Sequence, residues 1–171
     1  SGFPKILKTK EKKQNRWIMM IPDSIEEFYQ RKSRKHKKNM IYYGNKLSND
    51  HSGEIRVVKY YNKDQIDVMI KDAESIAQKT YQRGMDVGFK DSVLTGERMK
   101  LAAEKGWLRS YILYVQNRPV AFQMGFHFKN AYFVQGKGYD PAFSDYRVGT
   151  YLFQQILIDF CNDKTINRWD F

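Results

Sequence analysis

SYILYVQNRPVAFQMGFHFKNAYFVQGKG, residues 110–138, is the stretch that decides the fold. Ser110 to Val115 (SYILYV) reads as a strand of aromatic and β-branched residues. Asn117 marks a tight turn. Pro119 to Phe128 (PVAFQMGFHF) then alternates: Val120, Phe122, Met124, Phe126 and Phe128 face one way, and Ala121, Gln123, Gly125 and His127 the other. Lys129-Asn130 makes a second tight turn, and Ala131 to Gly138 is a third strand. Strands this close in sequence pair as an antiparallel meander.

Downstream the apolar period changes from two to that of a helix. A loop from Tyr139 to Arg147 leads into a helix from about Val148 to Asn162. Its apolar residues (Val148, Tyr151, Leu152, Ile156, Phe160, with Phe153 and Leu157) cover most of its circumference, so it packs between the sheet and another element. Arg168 to Phe171 begins a further strand. A strand–helix–strand connection of this length is a parallel, right-handed crossover. The expected class is therefore α/β in the α+β sense: a three-stranded antiparallel meander, then a parallel step, with helices on both faces of one mixed sheet.

Upstream, Arg16 to Ile21 (RWIMMI) reads as a short strand stopped by Pro22. Ser24 and Glu27 form a capping box, so a helix starts there. Ile25, Phe28, Tyr29, Met40, Tyr43 and Leu47 keep helical spacing along it. Lys32 and His36 fall on the same seam, which points to a groove lined by part of this helix. Ile55 to Tyr60 is a strand. Asn62 and Gln65 cap a helix marked by Ile66, Met69, Ile70, Ala73, Ile76 and Ala77, ending before Gly84. A loop from Gln82 to Asp91 precedes a helix from about Ser92 to Lys105, closed by Gly106. Residues 1–15 are expected to be a separate leading segment, and 16–171 one domain.

The chain has 171 residues, 42% of them apolar and 15% aromatic, which excludes a disordered tail. No apolar run reaches the ~18–20 residues of a membrane span. Cys161 is the single cysteine, so a disulfide framework and a cysteine-based zinc site are excluded, and a reducing, cytoplasmic setting fits. His36, His51 and His127 have no close ligand spacing, so no metal is expected. The net charge is +11. Residues 1–50 carry 13 Lys/Arg against 5 Asp/Glu, densest at Arg31 to Lys38 (RKSRKHKK). That run is either a solvated helical face or a surface for an anionic partner.

In a parallel strand–helix–strand unit, ligands collect where the strand ends and the helix begins. Here that place joins Gly136-Lys137-Gly138-Tyr139-Asp140 to Arg147-Val148-Gly149-Thr150-Tyr151. Free backbone N–H groups, the helix dipole and Arg147 all favour an anion. Gly149 lets a ligand approach the backbone, or is simply a permissive first-turn residue. Gly136 and Gly138 leave room for a ligand or for close packing.

Five short motifs then follow in order: Gly106-Trp107-Leu108-Arg109, Arg118 to Phe122 (RPVAF), Lys137 to Pro141 (KGYDP), Val148 to Leu152 (VGTYL) and Arg168 to Phe171 (RWDF). Together they resemble the GNAT superfamily of acyltransferases, and within it the cellulose-biosynthesis-type, FemAB-like branch. The earlier Ser33 to Met40 (SRKHKKNM) resembles the basic helix of that branch. The similarity covers roughly residues 16–171. Because members of that branch continue past the strand at Trp169-Asp170-Phe171, the chain is expected to be a fragment of a longer protein.

The resemblance implies a GNAT-like mixed sheet and an acyl-CoA donor, acetyl-CoA first. It implies that Arg147, Val148, Gly149, Thr150, Tyr151 and Leu152 hold the pyrophosphate. Gln135, Gly136, Lys137, Gly138 and Tyr139 would hold the pantetheine and thioester, as an added strand. Tyr146 and Tyr151 stand where the general fingerprint has Arg/Gln and a second small residue. The acceptor would be an amine or hydroxyl of a small molecule, sugar or polysaccharide precursor. Arg34, Lys38, Gln123 and His127 are the substrate-binding candidates. His127, Asp140 and Glu97 are candidate bases, and Tyr139 and Tyr146 candidate acids. Each also has a purely structural reading: a satisfied histidine, a loop cap, a solvated helix residue. Two other functions stay open. One is transfer from aminoacyl-tRNA, as in FemAB-like proteins. The other is a non-catalytic polyanion- or nucleic-acid-binding module on a degenerate fold of this type. The oligomeric state is not legible.

Overall fold

The computed structural model describes residues 17–80 and 88–171. Among these, six strands form one sheet: β1 (Ile18–Met20), β2 (Ile55–Tyr60), β3 (Ser110–Val115), β4 (Arg118–Phe128), β5 (Ala131–Tyr139) and β6 (Arg168–Asp170). Their spatial order is β1-β6-β5-β4-β3-β2. The β3–β4–β5 meander is antiparallel, and β5 pairs with β6 in parallel. Gln116, Asn117 and Lys129 take positive φ at the two hairpin turns, as two-residue turns matching strand twist require. The two strands whose neighbours the sequence left open, β2 and β1, close the sheet antiparallel against β3 and β6.

The helices are α1 (Ile25–Gln30), α2 (Arg34–Asp50), α3 (Ile66–Ala77), α4 (Val93–Glu104) and α5 (Val148–Asn162). The single helix expected from Ser24 onward is two. Ser33 breaks it by capping α2, accepting from the His36 N–H at 3.3 Å, a job its short hydroxyl does better than helix interior. The capping at Ser24 is as expected, with the Glu27 N–H donating to Ser24 Oγ. The expected loop over 82–91 lies partly outside the described residues. None of the described helices is long and apolar enough to cross a membrane.

The sheet separates two cores. On one face α1, α2 and α5 bury Leu47, Tyr111, Leu113, Tyr132, Phe160 and Trp169. On the other α3 and α4 bury Met69, Ile76, Ile112, Phe122 and Met124. Removing each such side chain from water contributes roughly 1.5–3 kcal/mol. Two glycines are demanded by cross-strand aromatics. A Cβ on Gly125 would lie 2.3 Å from Tyr132 Cζ, and one on Gly138 would lie 2.6 Å from Phe122 Cε1.

The register of β5 sets the site. Met124 pairs with Gly136, but Gly125 pairs with Val134, so Gln135 is an extra, bulged residue. The last β5–β6 pair is Phe133 with Asp170. From Val134 to Tyr139, β5 pairs with β4 on one side, and among the described residues no strand pairs with it on the other.

A polar clamp ties α5 across the sheet to β3 and β2. Arg109 Nη2 donates to Asp159 Oδ2 at 2.6 Å, Tyr111 Oη donates to the same carboxylate at 2.6 Å, and Lys59 Nζ reaches it at 2.9 Å. Arg109 also pairs with Asp163. Burial alone would raise the Asp159 pKa, but bonds from Tyr111, Lys59 and Arg109 outweigh it and hold it below the ordinary value. Asp163 is lowered likewise: Thr165 and Arg109 overcome the effect of burial. Groups with depressed folded-state pKa values stabilise the fold above the unfolded carboxylate pKa of about 4, and that stability is lost as pH falls through the folded values. Asp159→Asn is expected to cost about 2 kcal/mol in urea unfolding at pH 7, discounted from a fully buried pair because the clamp is partly exposed. The gap to wild type should narrow below about pH 4. A gap that stayed constant down to pH 2 would remove the clamp from the acid response.

Candidate active site

Beside the end of β5 a cavity of about 910 Å³ opens, within the range of small-molecule sites. Its floor is Lys137, Gly138 and Tyr139 of β5 with Phe122 of β4. One end is the start of α5: Ser144, Arg147, Gly149 and Thr150. The opposite wall comes from the α1–α2 elbow, with Phe28, Lys32, His36 and Met40. Met19 and Phe171, from the strand pair β1–β6, complete it.

The connection from β5 to α5 is locked by Asp140. Its carboxylate caps the 3₁₀ turn Pro141–Tyr146, accepting from the Ala142 N–H at 3.1 Å. Lys79 Nζ donates to it at 3.0 Å, and Arg118 pairs with it as well. Burial would raise the Asp140 pKa, but Lys79, the Ala142 N–H and Arg118 bring it below the usual value. So fully engaged a carboxylate is an anchor and a poor proton acceptor. Asp140 adjoins the cavity without lining it.

Arg147 ends the turn at φ 50°, ψ 47°, the left-handed region that costs a non-glycine residue about 1 kcal/mol or more. Its carbonyl accepts from the Thr150 and Tyr151 N–H groups at 2.8 and 3.1 Å. Helix geometry leaves the Val148 and Gly149 N–H groups with no carbonyl behind them. The Arg147 guanidinium lies over the Tyr43 ring, 4.5 Å from its centre. A Cβ on Gly149 would stand 3.6 Å from Tyr139 Cδ1. A methyl group fits there, and anything larger enters the space between Tyr139 and the helix start.

The structure brings together Lys137, Gly138, Tyr139, Arg147, Gly149, Thr150 and Leu152 at the cavity. Val148 is buried beneath it. Tyr151 turns away: its ring packs against Gly44 of α2, so it does not crowd the helix start. Gln135 is on the bulge and accepts from Arg98 of α4 at 3.1 Å, and Gly136 lies beside Phe89.

Other candidates sit elsewhere. His127 is at the far end of β4, opposite Tyr132, with its backbone N–H donated to the Trp107 carbonyl. Gln123 is buried inside the sheet between Tyr111 and Lys137. Arg34 and Lys38 are exposed on α2 but outside the cavity wall. Glu97 lies on α4, 3.5 Å from Lys100. The α2 residues at the cavity are His36 and Met40, four apart, with Lys32 one turn before. Their place was legible as cations on the apolar seam; Arg34 and Lys38 lie off that seam. Met19 and Phe171 had no signal, since strand pairing alone brings them there.

Among the described residues no Asp or Glu lines the cavity, while Lys32, His36, Lys137 and Arg147 do. With the two free N–H groups, this donor set suits an anionic ligand. Among the described residues, no cluster of three His, Cys, Asp or Glu could hold a metal ion.

The family described as acetyltransferase (GNAT) domain matches residues 34–171. No curated protein matches the chain. Among solved structures, a conserved protein of unknown function from Bacteroides thetaiotaomicron VPI-5482 superposes with a TM-score of 0.55 at 16% identity, over 91% of this chain and 49% of its own. FemX superposes with a TM-score of 0.61 at 8% identity, over 90% of this chain and 51% of its own. An aminoglycoside acetyltransferase from an uncultured soil metagenomic sample gives 0.50 at 8% identity, over 70% and 76%. At these identities the likeness is one of fold. The chain spans about half the length of the first two.

Gly149→Ala tests the space at the helix start. The added methyl meets Tyr139 at ordinary contact distance, so the variant is expected to fold and to gain about 0.5 kcal/mol from helix propensity in thermal unfolding. A loss of 1 kcal/mol or more would mean the gap is tighter than described.

Proposed function

We propose a function on one premise: the chain belongs to the acetyltransferase (GNAT) domain family. It transfers an acyl group from acyl-CoA, acetyl-CoA first, to an amine or hydroxyl of a small-molecule or glycan-related acceptor. The observation that carries this reading is the cavity that joins the end of β5 to the start of α5 and is lined by cations and backbone N–H groups.

Each part of the cavity has a task in that reaction. The Val148 and Gly149 N–H groups, the helix dipole and Arg147 take the pyrophosphate. The open edge of β5 from Val134 to Tyr139 offers backbone groups to the amide-rich arm of the donor, in the manner of strand addition. The donor supplies an activated thioester; the protein holds it in line with the acceptor, and such positioning alone contributes several kcal/mol. A backbone N–H near Tyr139 meets the developing oxyanion. Tyr139, which lines the cavity and is 45% exposed, gives its hydroxyl proton to the departing thiolate, while the proton shed by the acceptor's nitrogen or oxygen passes to water and restores the hydroxyl. His127 and Asp140 are not favoured as bases, because one is remote and the other fully engaged.

A second reading has its own observation. Arg34, Lys35, Lys37 and Lys38 are exposed on α2 outside the cavity, a surface that suits RNA and so a tRNA-borne donor.

Calorimetric titration with acetyl-CoA, with a short RNA in parallel, separates them. Saturable acetyl-CoA binding that Gly149→Trp abolishes, with the circular dichroism unchanged, is the expected result. RNA binding that is tight and salt-sensitive, with no acetyl-CoA binding, would overturn it in favour of the second reading. Tyr139→Phe is expected to keep acetyl-CoA affinity and lower kcat about 10²-fold. An unchanged kcat would take Tyr139 out of proton transfer.

A further inference from the structure

We propose that the acceptor held at the α1–α2 end of the cavity is an amphipathic molecule: an apolar or aromatic body carrying an anionic group, phosphate or carboxylate. This rests on the reading of the cavity as the acyl-transfer site, and names the substrate class that reading leaves open.

The argument starts from a row of aromatic rings. Phe28 of α1 lies 5.7 Å from Phe153 of α5, and Phe153 lies 6.4 Å from Phe171 beyond β6. All three line the cavity. An ammonium stands at each end of the row: Lys32 Nζ is 4.5 Å from the centre of the Phe28 ring, and Lys137 Nζ is 5.7 Å from that of Phe171. His36 joins Lys32 on the same wall, one turn along.

Elsewhere the protein neutralises cations that serve its fold. Lys79 and Arg118 share Asp140, and Lys59 and Arg109 share Asp159. At the cavity the pattern reverses: the described residues give Lys32, His36 and Lys137 no carboxylate partner, and none lines the wall. A ring surface between unneutralised cations attracts a molecule that is apolar along its body and negative at an end. The same charges repel a polycationic acceptor. The pyrophosphate has its own place at the other end, with Arg147 and the start of α5, so these cations are left for the acceptor.

The test uses three probes with one amine and one ring: tyramine, O-phosphotyramine and 4-(2-aminoethyl)benzoate. Each is titrated calorimetrically into the intact protein saturated with CoA. At least one anionic probe should bind about tenfold or more tighter than tyramine, as one charge-assisted contact allows; the tighter of the two identifies the anion. Lys32→Gln combined with His36→Gln should bring that probe to the affinity of tyramine, while acetyl-CoA affinity changes less than about twofold. Tyramine binding as tightly as both anions would overturn the proposal. So would a fall in acetyl-CoA affinity of the double variant matching that of the anionic probe, since the cations would then serve the donor. If the wild type binds no acetyl-CoA, it is the transferase reading that fails. The probes are then titrated without CoA: a surviving, Lys32- and His36-dependent preference for an anion supports the site, and its absence overturns it.

Discussion

Among the described residues, strand β5 has two neighbours along its first residues and one along the rest, and the cavity is built on that asymmetry. Backbone amides away from water require partners. From Ala131 to Phe133, β6 supplies them on the side away from β4. The bulge at Gln135 turns the strand just after its last pair with β6. The cavity is a wedge with the end of β5 as one wall and the start of α5 at its end. A ligand with amide groups and an anionic terminus complements both.

Holding a wedge open inside a sheet requires bracing on each side. On the α5 face, Trp169 is wholly buried among Tyr132, Phe153 and Phe160, fixing β6 to β5 and to the helix. The Arg109–Asp159 clamp fixes the far end of that helix to β3. At the near end, Asp140 draws together Lys79, after α3, and Arg118, at the start of β4. Trp169, the Arg109–Asp159 pair and Asp140 stand outside the cavity lining, and of these braces only Phe153 also faces the site.

The meander and the crossover helix were legible because their signals are local. Period-two alternation along β4 and the apolar helix from Val148 need no distant partner to be recognised, although Val120, expected on the face of Phe122 and Met124, is the extra residue of a bulge and packs in the opposite core with Ala121. The break at Ser33 was not, since apolar spacing continues across it and only the cap decides. The cations divide for a related reason. Arg34 and Lys38 stand out in a linear run, but only one face of a helix can meet the cavity, and that face is the one with Lys32, His36 and Met40. His127 alternated correctly onto its face of β4, yet the position along the strand, not the face, decides whether a side chain reaches the cavity.

The sequence by itself determined the elements, the mixed sheet, and the strand-end and helix-start pairing where an anion would sit, because spacing and capping act between near neighbours. Tertiary structure alone decided that β1 pairs with β6, bringing Met19 and Phe171 to the cavity, and that β5 bulges at Gln135. It also decided which cations face inward and which carboxylates were already taken. Those outcomes depend on contacts between residues up to 100 or more positions apart, such as Lys59 with Asp159, and no local pattern records which distant partners will meet.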